Sequence, residues 1–148
     1  MLDFCEVSES MLRHCRALLW SLSLCWLAAC GSPASDVTPP SLALDSEGTL
    51  AAGATAAVTG TDLQVTFVGV GEDSRCPTDV SCVWAGEITV RLAARIGSAE
   101  PVTRDVLEGR SAVIEPYRLT VTSVRPEPVS SKKLEPADYR ITLIVVKI

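Results

Sequence analysis

From residue 55 onward the chain alternates apolar and polar side chains with a period of two, the spacing of a strand with one buried face. Leu63, Val65 and Phe67 share a face, with Gln64 and Thr66 opposite. Ile88, Val90, Leu92 and Ala94 interleave with Thr89, Arg91 and Ala93, and Tyr117, Leu119 and Val121 with Arg118, Thr120 and Thr122. Ile141 to Val146 is a nearly continuous apolar run, which predicts a strand covered on both sides. Ala54–Val58, Val102–Leu107 and Ser111–Ile114 are shorter candidates. About seven strands and no convincing helix in this part predict an all-β fold, an antiparallel β-sandwich. The tract Ser41–Ala52 leaves room for a turn of helix.

Turn-forming residues separate the runs: Thr59-Gly60-Thr61-Asp62, Gly97-Ser98, Glu108-Gly109, Glu115-Pro116 and the long Pro126–Asp138 segment. Leu134-Glu135-Pro136-Ala137-Asp138-Tyr139 leads into the last strand and resembles the tyrosine corner of immunoglobulin-like sandwiches. That resemblance implies a Tyr139 hydroxyl bonded to the backbone of the preceding loop.

The first third reads differently. Met11 opens Met-Leu-Arg-His-Cys-Arg, basic and free of acid, whereas a start at Met1 adds Asp3, Glu6 and Glu9. A secretory n-region is positively charged, which favours Met11 as the true start. Ala17 to Ala29 is an apolar stretch of 13 residues, short of the roughly 20 that span a bilayer and suited to a signal h-region. It ends Leu27-Ala28-Ala29-Cys30, which resembles the lipobox of bacterial lipoproteins at all four positions. The resemblance implies cleavage before Cys30 and a diacylglyceryl thioether on its sulfur. Two or three acyl chains hold a protein on a membrane durably where one does not. Gly31 stands where retained lipoproteins carry an aspartate, so the resemblance points to the outer membrane, facing the periplasm. The expected organisation is a signal over 1–29, a lipidated cysteine and flexible tether over 30–48, and the sandwich over 49–148.

Removing the signal changes the cysteine arithmetic. Of six cysteines, Cys5, Cys15 and Cys25 leave and Cys30 carries lipid. Cys76 and Cys82 remain in an oxidising compartment, which predicts a structural disulfide. Two thiols without histidine complete no zinc shell, and the spacing is not the Cys-x-x-Cys of a redox pair.

Around them, residues 72–86 read Glu-Asp-Ser-Arg-Cys-Pro-Thr-Asp-Val-Ser-Cys-Val-Trp-Ala-Gly. This resembles a group of small uncharacterised bacterial lipoproteins with an Asp-Ser-Arg-Cys-Pro…Cys-x-Trp-Ala-Gly segment in a β-rich domain, a likeness that implies no established activity. Read from its residues, the segment is a stapled loop between two strands. Asp73 and Ser74 favour the turn, Pro77 stiffens it, Gly86 suits a close backbone approach, and Arg75 has Asp73, Asp79 or Glu87 as partners. Trp84 either packs against the disulfide and the end of the core or stands in a recognition surface with Asp73, Arg75 and Asp79. Glu72, Asp73 and Asp79 supply oxygens for calcium, but not at EF-hand spacing, and no metal or other cofactor is expected.

Charge and composition narrow the function. Thirteen basic and 18 acidic residues give a net charge of −5, which disfavours nucleic acid and anionic membrane surfaces. The only histidine, His14, lies in the expected signal, so the exported part has no imidazole for Ser-His-Asp or Cys-His chemistry. Nucleotide fingerprints are absent. The expectation is a nonenzymatic envelope lipoprotein, attached to the membrane through lipid on Cys30, with a binding or scaffolding domain for an envelope partner. The alternative is an inhibitor of a secreted lysozyme or protease, without the Ser-Gly-x-x-Tyr or Asn-Pro-Thr-Thr-Gly patterns of two inhibitor families.

Overall fold

The computed structural model describes residues 40–148, so Cys30 and the expected signal lie outside the described residues. Among the described residues are nine strands: β1 (Ser41–Leu42), β2 (Glu47–Ala51), β3 (Thr55–Val58), β4 (Leu63–Asp73), β5 (Ile88–Ile96), β6 (Val102–Leu107), β7 (Ser111–Ile114), β8 (Tyr117–Arg125) and β9 (Arg140–Lys147). A single 3-10 turn, Pro136–Asp138, precedes β9. One sheet has the order β1-β3-β4-β5-β6 and the other β2-β9-β8-β7. The fold is an all-β sandwich. Pairing is antiparallel except between β1 and β3. Each sheet is mostly a meander of consecutive strands, whereas an immunoglobulin domain interleaves its strands between sheets.

The period-two pattern sets which side chains meet. Leu63, Val65 and Phe67 of β4, Ile88, Val90, Leu92 and Ala94 of β5 and Leu119 and Val121 of β8 are buried between the sheets, together with Ile141, Leu143 and Val145 of β9. The alternate positions of β9, Thr142, Ile144 and Val146, are only half-buried. The strand is therefore covered on one side, contrary to the expectation from its apolar run. Its outer positions carry β-branched residues because these suit a pleated surface.

Two strands appear in the tract where a tether was expected over 30–48 and a turn of helix was left open over 41–52. Ser41–Leu42 pairs with Ala57 and Val58, and Glu47–Ala51 runs beside β9. Leu42 and Leu50 are buried in the core, so the folded unit begins before residue 49. Gly48 makes this possible: a Cβ there would lie 2.2 Å from Leu42 Cδ2. Burying two leucines against an existing sheet outweighs the turn-like composition of the tract.

The connections from β4 to β5 and from β8 to β9 emerge at the same end of the sandwich, where Thr78 N donates to Pro128 O at 3.0 Å. That end carries the candidate site.

Candidate functional site

The β4–β5 connection is built as a braced loop. Its two limbs continue the hairpin: Ser74 N donates to Glu87 O at 2.8 Å and Cys76 N to Ala85 O at 2.8 Å. The Ser74 hydroxyl adds a bond to Glu87 O at 3.0 Å and accepts one from Glu87 N at 3.1 Å. Gly86 has φ +71°, and a Cβ on it would lie 1.8 Å from Ser74 O, so only glycine lets the limbs approach this closely. Cys76 and Cys82 form the disulfide, with Cα atoms 5.9 Å apart.

Below the loop lies a polar clamp. Arg75 grips Asp73 through two parallel bonds, Nε to Oδ1 at 2.8 Å and Nη2 to Oδ2 at 2.6 Å, the bidentate geometry that guanidinium favours. The same guanidinium reaches across the sandwich end to Val124 O and Pro126 O, each at 3.0 Å. Tyr139 Oη donates to Asp73 Oδ2 at 3.1 Å. Both charged side chains are only 12% exposed. One ion pair thus joins the end of β4 to the end of β8 and the start of β9. Burial alone raises the Asp73 carboxyl, but the bonds and charge of Arg75, with help from Tyr139, outweigh it and hold its pKa below the usual carboxylate range. The Arg75 guanidinium is raised, chiefly by its bond to Asp73. Burial, then the Asp73 carboxylate, raises the Tyr139 hydroxyl. The tyrosine-corner resemblance therefore locates the right residue but the wrong acceptor: a carboxylate 66 residues away takes the bond, not the preceding backbone.

A second tie holds the outer part of the loop. Asp79 accepts from Ser130 N at 2.8 Å and also from the Ser130 hydroxyl. These bonds lower its pKa, the hydroxyl foremost. Asp73 and Asp79 are committed to different partners, Arg75 and Ser130, and among the described residues no three metal-binding side chains converge.

What the bracing presents is apolar. Trp84 is 83% exposed and Val83 92% exposed, with Val80 47% exposed nearby. Trp84 neither crosses the disulfide nor plugs the core. Of the four residues expected to form a recognition surface, the structure places Asp73 and Arg75 in the loop's foundation, Asp79 in its outer tie, and Trp84 alone at the apex. Val80 and Val83 were not anticipated, because Val80-Ser-Cys-Val-Trp84 carries no sequence mark that separates exposed valines from packed ones. Beside the loop is a cleft of about 260 Å³ lined by Arg75, Gly86, Glu87, Glu108 and Arg110, charged in both signs. Glu108 is partly committed there, accepting from Val124 N at 2.8 Å.

Comparison of the chain with family models, curated proteins and solved structures gives no match. The reading of the site therefore rests on its geometry: a rigid, polar-footed loop that holds a tryptophan and two valines in solvent.

Proposed function

We propose that the chain is a lipid-anchored protein of the bacterial envelope whose sandwich is a noncatalytic binding module, with the 74–87 loop as its contact surface. The Leu27-Ala28-Ala29-Cys30 sequence after a basic n-region supports the anchor and, with Gly31 following, an outer-membrane position facing the periplasm. The observation that carries the binding role is the exposure of Trp84 on a loop fixed by a disulfide, a buried ion pair and a glycine. Tryptophan is the side chain most enriched at binding hot spots, and a loop ordered in advance loses little entropy on contact. Its exposed, braced apolar residues also fit the alternative, an inhibitor that inserts the loop into the cleft of a secreted lysozyme or protease.

Oxidative footprinting of intact envelopes tests the reading. Trp84 and Val83 are expected to be protected in the envelope and labelled in purified protein. Equal labelling in both settings would remove the loop as a contact surface. Inhibition of a lysozyme or protease by the purified protein, abolished by Trp84→Ala, would select the inhibitor.

A further inference from the structure

We infer that the edge strand β6 is closed to pairing with a second copy of the chain, and that Arg104 is the residue that closes it. β6 forms one edge of the five-stranded sheet. At six residues it is the longest of the four edge strands. An edge of that length presents backbone groups on which another strand can add.

The register identifies those groups. Glu108 N donates to Ile88 O at 3.1 Å. Alternation along an antiparallel pair then turns the N–H and C=O of Val106, Arg104 and Val102 toward β5. Those of Thr103, Asp105 and Leu107 point away from it. Two of the three outward carbonyls are already taken. Leu107 O accepts from Arg110 N at 3.0 Å, and Thr103 O accepts from Arg104 Nη1 at 2.9 Å. The Arg104 side chain starts from the inner face of β6, which it shares with buried Val106. There it lines a cleft of about 310 Å³ with Ile96, Val102, Val113 and Ile114, drawn from β5, β6 and β7. A charge set inward on an edge strand deters pairing, because an added strand would have to desolvate it.

Symmetry makes the barrier specific to the chain itself. Two copies joined through antiparallel β6 strands are related by a twofold axis normal to the sheet. Facing residues then lie on the same face, so an even-numbered residue meets only even-numbered ones. For a strand spanning Val102–Leu107, the two registers of greatest overlap centre on residues 104 and 105. In the first, Arg104 faces Arg104 of the second copy across a non-hydrogen-bonded pair, where Cα atoms lie only about 4.5 Å apart. In the second, Asp105 faces Asp105. Like charges directly opposite each other destabilise a strand pair. Asp105 is partly neutralised by Arg91, whose Nε and Nη2 donate to it at 2.8 and 3.1 Å. Arg104 bonds only a backbone carbonyl among the described residues, so it is the stronger barrier.

The test measures protein mass per particle for the full chain, purified in nonionic detergent with micelles in excess. Wild type and Arg104→Asp are each expected to hold one chain, since either sign repels itself. Mixed in equal amounts they are expected to pair, because a guanidinium then faces a carboxylate, and a tag on one should recover the other. Arg104→Val alone is expected to double in mass. Adding Thr103→Pro, which removes an outward N–H and leaves the ladder to β5 intact, is expected to return it to one chain. Both positions are exposed, and far-UV circular dichroism should show the same strand content throughout. The inference is overturned by wild type that pairs until Thr103→Pro is introduced, by an equal mixture that stays at one chain, or by Arg104→Val that stays single. A dimer of Arg104→Val that survives Thr103→Pro overturns it as well, since pairing would then lie elsewhere.

Discussion

Replacing Arg75 by methionine tests whether the clamp holds the loop end of the sandwich together. The change keeps an unbranched apolar stem but removes every donor. Asp73 loses its bidentate partner and keeps Tyr139 and the backbone N of residue 75. Val124 O and Pro126 O lose the guanidinium as well. Breaking one side of a fully buried pair costs about 3–5 kcal/mol. Here 12% of each side chain still meets water, which places the expected loss near the lower bound, about 3 kcal/mol. For a domain of this size that is a fall in Tm of roughly 10–15 °C, read by far-UV circular dichroism near neutral pH. Asp73→Asn combined with Arg75→Met should recover part of the loss, since the uncompensated charge is gone. The pH dependence follows from the lowered carboxyl. A group whose pKa is depressed by folding stabilises the protein above its unfolded value, and that contribution fades as pH falls through the folded value. Asp73 starts from an ordinary value of 3.8 and is lowered, so its share of the gap between wild type and Arg75→Met should fade below about pH 4, while the share due to Val124 O and Pro126 O remains. A shift of only a degree or two at neutral pH, typical of an exposed ion pair, would refute the clamp.

Other perturbations separate the loop's frame from its apex. Gly86→Ala forces a Cβ against Ser74 O at a positive φ and should cost about 2–4 kcal/mol in urea unfolding. Trp84→Ala should leave urea stability within about 0.5 kcal/mol of wild type, because the side chain packs on little; a large loss would mean that Trp84 is structural after all. Reducing the Cys76–Cys82 bridge releases a short loop worth about 2.4 kcal/mol in chain entropy. The sandwich should survive with a lower midpoint, and hydrogen exchange should speed up at residues 77–83 while β4 and β5 keep their protection.

The pattern of apolar positions predicts β4, β5, β8 and β9 because each carries three or four alternating side chains, enough to specify a face, and the turn residues between them mark off the three shorter strands. It does not predict β1 or β2, which contribute one buried leucine apiece and contain a glycine whose purpose is visible only beside Leu42. In the loop, the disulfide and the close approach at Gly86 are legible because cysteine and glycine have few reasons to be there. The clamp is not. Asp73 and Arg75 are neighbours in sequence, but their other partners stand 49 to 66 residues away, and only the folded sandwich brings those together. Trp84 is ambiguous for a different reason: the same ring serves a core or a contact equally well, and only its surroundings choose.

The membrane anchor on which the functional account depends is tested most directly by intact-mass measurement and peptide mapping of the protein extracted from its native membranes. The account predicts a chain beginning at Cys30 with diacylglyceryl on the sulfur, and loss of both cleavage and lipid in Cys30→Ala. A mature chain with residue 30 as a free or disulfide-bonded thiol would contradict it.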